Sequence, residues 1–107
     1  MAGTAIKVNQ SRQQFQANFT EFWQVTCTLD AASVASKGVG AETIAVPGVA
    51  LGDIVLGVSL AVDSASVSAT GYVNAANSVT LALVNNTAGA VDLASTTVKL
   101  LIGRPAF

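Results

Sequence analysis

Polar and apolar positions alternate with a period of two along most of the chain. Trp23, Val25, Cys27 and Leu29 take one parity, and Gln24, Thr26, Thr28 and Asp30 take the other. Side chains of a strand point alternately to its two sides, so this stretch predicts a strand with one dry face. Glu42 to Val46 predicts a second, with Ile44 and Val46 on one face. Ile54 to Leu60 is apolar on nearly both parities and predicts a central strand covered on two sides. Val67 to Val73 and Val79 to Val84 predict a fourth and a fifth. Thr96 to Ile102 predicts the last, with Val98, Leu100 and Ile102 facing one way.

Turn-forming residues separate these runs. Pro47-Gly48 and Gly52-Asp53 bracket a tight connection, and Asp63 to Ser66 and Asn74 to Asn77 turn the chain again. Asn85-Asn86-Thr87-Ala88-Gly89 is rich in residues that tolerate positive φ. We read Pro47, Gly48, Gly52, Asp53, Asn77, Asn86 and Gly89 as determinants of turns rather than of contacts. Asp30 to Gly38 reads as a short helical turn or loop, with Asp30 as N-cap and Gly38 as stop. About six strands at short spacing, with no helix long enough for a crossover, predict an all-β fold. The expected architecture is a single antiparallel β-sandwich or jelly-roll-like domain over residues 23–107.

Residues 1–22 follow a different pattern. Phe15, Phe19, Phe22 and Trp23 stand at helical spacing, and Ser11 with Gln14 could form a capping box. Phe15, Ala17 and Phe19 equally fit strand alternation. The segment is either a short helix or an extended arm. Its aromatics either join the core or dock on a neighbouring subunit. As anchors of a subunit or partner interface, the candidates are Phe15, Phe19, Phe22 and Trp23, with Lys7 and Arg12 in the polar opening.

Composition narrows the function. Only 10% of the 107 residues are charged, against about 25% in an ordinary domain. Half the chain is apolar, yet aromatics are 6%. Much of the surface must therefore be Ala, Ser, Thr, Gly and Asn, which suits a protein packed against copies of itself or a scaffold. A net charge of -1 with five scattered basic residues gives no footprint for duplex nucleic acid. No stretch reads as a transmembrane helix, and Met1 to Gln10 lacks the layout of a signal peptide. The absence of histidine removes the commonest general base and transition-metal ligand. Cys27, the single cysteine, reads as an inert core residue. The six acids form no pair or cluster with catalytic or calcium-binding spacing. Neither an enzyme nor a bound cofactor or metal is expected.

Three ordered segments carry a resemblance. They are Leu29-Asp-Ala-Ala-Ser-Val-Ala-Ser-Lys-Gly38, Thr43-Ile-Ala-Val-Pro-Gly-Val-Ala-Leu-Gly-Asp-Ile-Val55, and Tyr72 to Thr80 followed by Val84-Asn-Asn-Thr-Ala-Gly-Ala90. In this order and spacing the chain from Leu29 to Pro105 resembles small bacteriophage virion proteins, the capsid decoration (cement) or head-fibre family. The resemblance implies a β-sandwich on the outer surface of an icosahedral head, commonly a homotrimer, with the major capsid protein as partner. It places the protein in the host cytoplasm during assembly and in the virion afterwards. It does not reach residues 1–22. The alternative is a head-fibre or tail-associated module that binds host glycans, for which Tyr72 is the only aromatic between Trp23 and Phe107. Tyr72 is expected to face a sheet, which counts against that alternative.

Overall fold

The computed structural model describes Gly3 and residues 14–107. After a 3-10 turn at Phe15–Asn18 come six strands: β1 (Phe19–Leu29), β2 (Val39–Ala45), β3 (Ile54–Leu60), β4 (Val67–Ala75), β5 (Ser78–Asn85) and β6 (Thr96–Pro105). They form two three-stranded antiparallel sheets, ordered β1-β6-β3 and β2-β5-β4. The fold is the expected all-β sandwich.

The core lies between the two central strands. Val79, Leu81 and Leu83 of β5 and Val98, Leu100 and Ile102 of β6 are almost wholly buried. These are the inward parities of their strands, so the period-two pattern becomes the layered core. Val67 and Val73 of β4, Ile44 of β2 and Val46 and Val49 beyond it complete the cluster. Trp23, Val25, Cys27 and Leu29 of β1 line the same interior but stay half-buried. On one side the sandwich is closed by β3 against β4. A Cβ placed on Gly71 would lie 3.1 Å from Val55 Cγ1.

Three expectations are corrected. The apolar run Ile54 to Leu60 is not a central strand; β3 is a sheet edge. A bulge between Val55 and Gly57 resets its alternation, so Val55, Val58 and Leu60 all turn inward, while Ile54 is exposed. A run with a parity break looks two-sided when counted as if it were regular. Of the two readings of Asp30 to Gly38, a helical turn or a loop, the loop forms, so the helix N-cap assigned to Asp30 is the part corrected. The loop is an extended connection pinned by a bridge between Val34 and Val91, and Lys37 takes a left-handed φ of 58°. Asp30 therefore caps nothing helical. Lastly, β1 starts at Phe19, four residues before the alternation that begins at Trp23. The register of β1 on β6 slips between Phe19 and Glu21, which hides those first residues from a strict period of two.

Candidate interaction surface

Two clusters distinguish this sandwich, one internal and one facing solvent. The first is built on Arg104, which continues the inward parity of Val98, Leu100 and Ile102 to the end of β6. A guanidinium at the rim of an apolar row must be paired. Arg104 Nε donates to Asp53 Oδ1 at 3.0 Å and Nη2 to Asp53 Oδ2 at 2.9 Å, a two-pronged contact. Its Nη1 reaches Glu21 Oε2 at 3.0 Å, and Nη2 also donates to the Gly48 carbonyl at 2.9 Å. The guanidinium lies over the Trp23 ring, 5.0 Å from its centroid.

This one side chain thus ties together β1, β6 and the loop between β2 and β3. Asp53 itself accepts the Ala50 amide at 2.9 Å and has a side chain only 4% exposed. The hydrogen bonds from Arg104 hold its carboxyl below the ordinary carboxylate range, against the opposing effect of burial. The same contact raises the Arg104 pKa further above its usual value.

The predicted turn residues meet here and at one other knot. Gly48 and Gly52 both take positive φ, 97° and 99°, which bends the chain around Val49 to Asp53. A side chain at Gly48 would also meet the Trp23 indole at 3.3 Å. Asn77 sits at φ 62° in the turn between β4 and β5, and its Oδ1 accepts the Gly48 amide. Pro47 is exposed at the start of the loop. In the second knot the fully buried Asn85 donates to the carbonyls of Val34 and Gly89 and accepts from Thr87 N and Oγ1. The Asn86 carbonyl accepts from Lys37 Nζ at 2.7 Å. Among the described residues, no buried side-chain nitrogen or oxygen lacks a partner. The buried polar atoms of both knots are thus paired within the chain, while Glu21 and Lys37 stay exposed at their rims.

The second cluster is apolar and open. Gly103 lies on the outward side of β6, and the Phe19 ring occupies the space where a side chain would be. A Cβ on Gly103 would stand 2.5 Å from Phe19 Cδ1. Strand register sets Phe22 and Ile54 on either side of Gly103 in the same row. Phe15 and Phe22 stack against Phe19 with centroids 5.2 and 5.0 Å apart. Leu101 follows two residues earlier on the same strand face. Phe15 is 64% exposed, Phe22 42%, and Ile54 and Leu101 40% each. Aromatic and branched side chains thus form a contiguous outward patch beside the 3-10 turn.

Three of the predicted anchors, Phe15, Phe19 and Phe22, meet in this patch. Trp23 does not join them: it points to the other side of β1, beneath Arg104. Adjacent strand residues face opposite ways, so one helical stripe could not survive in a strand. Lys7 and Arg12 lie outside the described residues. Arg104 and Glu21 were missed as interacting residues. The available signal was a cation placed in the apolar parity of β6.

The outward side of the other sheet is different again. Val39, Ala41, Thr43 and Ala45 of β2 are exposed there, with Ser68, Thr70, Tyr72 and Asn74 of β4. Ala82 and Val84 of β5 lie between them in register. None of these side chains is charged. Tyr72 is not turned into a sheet, as expected from sequence, but stands 55% exposed on this face.

No group of three or more His, Cys, Asp or Glu that could hold a metal occurs among the described residues. No helix there is long and apolar enough to cross a membrane. Comparison of the chain with family models, curated proteins and solved structures finds no match.

Proposed function

We propose that this protein is a structural component of a bacteriophage virion, a decoration protein that binds the outside of an icosahedral head and stabilises the expanded shell. The observation that carries the reading is the patch of Phe15, Phe19, Phe22, Ile54 and Leu101, an apolar surface that the other described residues leave open. Aromatic side chains at the centre of a patch are the common anchors of protein–protein contacts. The charge-free outer face of β2-β5-β4 supports the same reading, since a crowded protein surface has less need of charge for solubility. So does the ordered resemblance of Leu29 to Pro105 to phage virion proteins.

The mechanism is mass action. A protein that binds the expanded shell and not its precursor lowers the free energy of the expanded state. Many copies, each contributing a modest contact, sum to a large effect. Quantitative mass spectrometry of purified particles tests the assignment. A copy number comparable with that of the major capsid protein is expected. Absence from the particles overturns it.

The exposed Tyr72 favours a second reading, a head-fibre or tail module that touches host glycans through this face. Such a module would be present in far fewer copies. Replacement of Tyr72 by alanine would then lower adsorption to host cells without lowering particle stability.

A further inference from the structure

We propose that β1 is a self-pairing edge, and that two copies of this chain join β1 to β1 antiparallel about a two-fold axis at Val25. Among the described residues, the backbone fixes which groups are free. Ala61 N donates to Thr97 O, so Thr97 and, by alternation, Lys99 and Leu101 turn their backbone groups to β3. Val98, Leu100 and Ile102 then turn theirs to β1, where they bond Cys27, Val25 and Trp23. Phe22, Gln24, Thr26 and Thr28 are left with amides and carbonyls directed away from the sheet. The side chains of Phe22, Gln24, Thr26 and Thr28 are all exposed.

A row of free amides and carbonyls is complementary to another extended strand and to little else. Native edges usually carry a defence, such as a lysine, a proline or a bulge. Between Phe22 and Leu29 there is no charge and no proline, and the register runs unbroken from Glu21 onward.

Pairing about Val25 sets Phe22 opposite the second copy's Thr28, and Gln24 opposite its Thr26, each by mutual hydrogen bonds. Trp23 comes to lie opposite Cys27, and Val25 opposite Val25. Polar residues meet polar ones on the outward side, apart from Phe22. Apolar residues meet apolar ones on the inward side, where the row from Trp23 to Leu29 is only half-buried within one copy. The result is one continuous six-stranded sheet.

The other edges are poorer candidates. Strand β2 also has an open edge, but it carries Glu42 at its middle: a two-fold pairing centred there would oppose two carboxylates, and one shifted by a residue would set the carboxylate against Gly40 or Ile44. Strands β3 and β4 each carry a bulge and lean on one another. The pairing is independent of the capsid reading, and its two-fold symmetry differs from the threefold assembly that the sequence resemblance implies.

Sedimentation of the full chain over a concentration series, with two sets of variants, tests it. The wild type is expected to pass from monomer to dimer. Thr26→Pro removes an amide that β6 does not use, and proline is tolerated on an edge where its nitrogen faces solvent. This variant should keep the wild-type circular dichroism and lose the dimer, whereas Thr26→Ala should keep both. In a Cys27→Ser background, Val25→Cys should cross-link under mild oxidation. Opposed residues of a non-hydrogen-bonded pair have Cα atoms about 4.5 Å apart, within reach of a disulfide. Thr28→Cys in the same background should not cross-link. A wild type that stays monomeric or forms only trimers overturns the proposal. So does a folded Thr26→Pro variant that still dimerises, or a folded Val25→Cys variant that does not cross-link. If Thr26→Pro fails to fold, the cross-linking pair decides.

Discussion

Asp53 and Arg104 show how much of this fold hangs on single polar residues. Their contact joins the end of β6 to the loop between β2 and β3, and Glu21 extends it to β1. Asp53→Asn removes the charge and should cost roughly 1–3 kcal/mol by denaturant unfolding, toward the lower end because Arg104 is a third exposed. The same residue makes stability depend on pH. Its folded-state pKa lies below the ordinary value of 3.8, so the contribution is fully present above that value. It is lost as pH falls below 3.8 and through the folded value. Asp53→Asn should flatten this acid limb of the stability curve, which unfolding measured from pH 5 downward will show. Asn85 is the uncharged counterpart. Asn85→Ala leaves the Thr87 amide without its partner and strips the Val34 carbonyl of one of its two donors, and should destabilise by about 1–3 kcal/mol. Thermal unfolding monitored by circular dichroism checks it. Sequence spacing marked the turns around these residues but not their partners. Gly48, Gly52 and Asn77 are legible because few residues accept positive φ. The pairing of Asp53 with a residue 51 positions away is a product of tertiary register and has no local signature.

At the scale of the element, the hydrophobic pattern located all six strands, with alternation marking the half-buried ones and a continuous apolar run marking β3. It was misled where alternation breaks. The bulge in β3 made an edge strand resemble a central one, and the slip after Phe19 concealed the start of β1. Sheet order was not legible, since which strands pair depends on loops that leave no periodic trace. Neither was the use of Gly103. Its missing side chain is what lets Phe19 lie flat on β6 and seed the aromatic stack. Gly103→Ala should displace that ring and cost roughly 1–3 kcal/mol by overpacking. Phe19→Ala in the same chain should recover part of this loss. A double-mutant cycle of unfolding free energies measures the coupling, which is predicted to be favourable between the two substitutions.

For the whole molecule, the outstanding property is a surface poor in charge, with an apolar patch on one sheet and an uncharged face on the other. Low charge content was plain in the composition. The gathering of Phe15, Phe19 and Phe22 outward, with Trp23 turned in, needed the structure. Under the proposed function the outward aromatics are binding anchors rather than misplaced core. Co-sedimentation with expanded capsid shells from the protein's own source tests this most directly. The wild type should pellet with shells. A folded Phe15→Ser, Phe19→Ser, Phe22→Ser variant should bind at least about tenfold more weakly, the equivalent of losing ~1.4 kcal/mol. A wild type that stays in the supernatant, or a variant that binds as well as the wild type, would rule out this role for the aromatic patch.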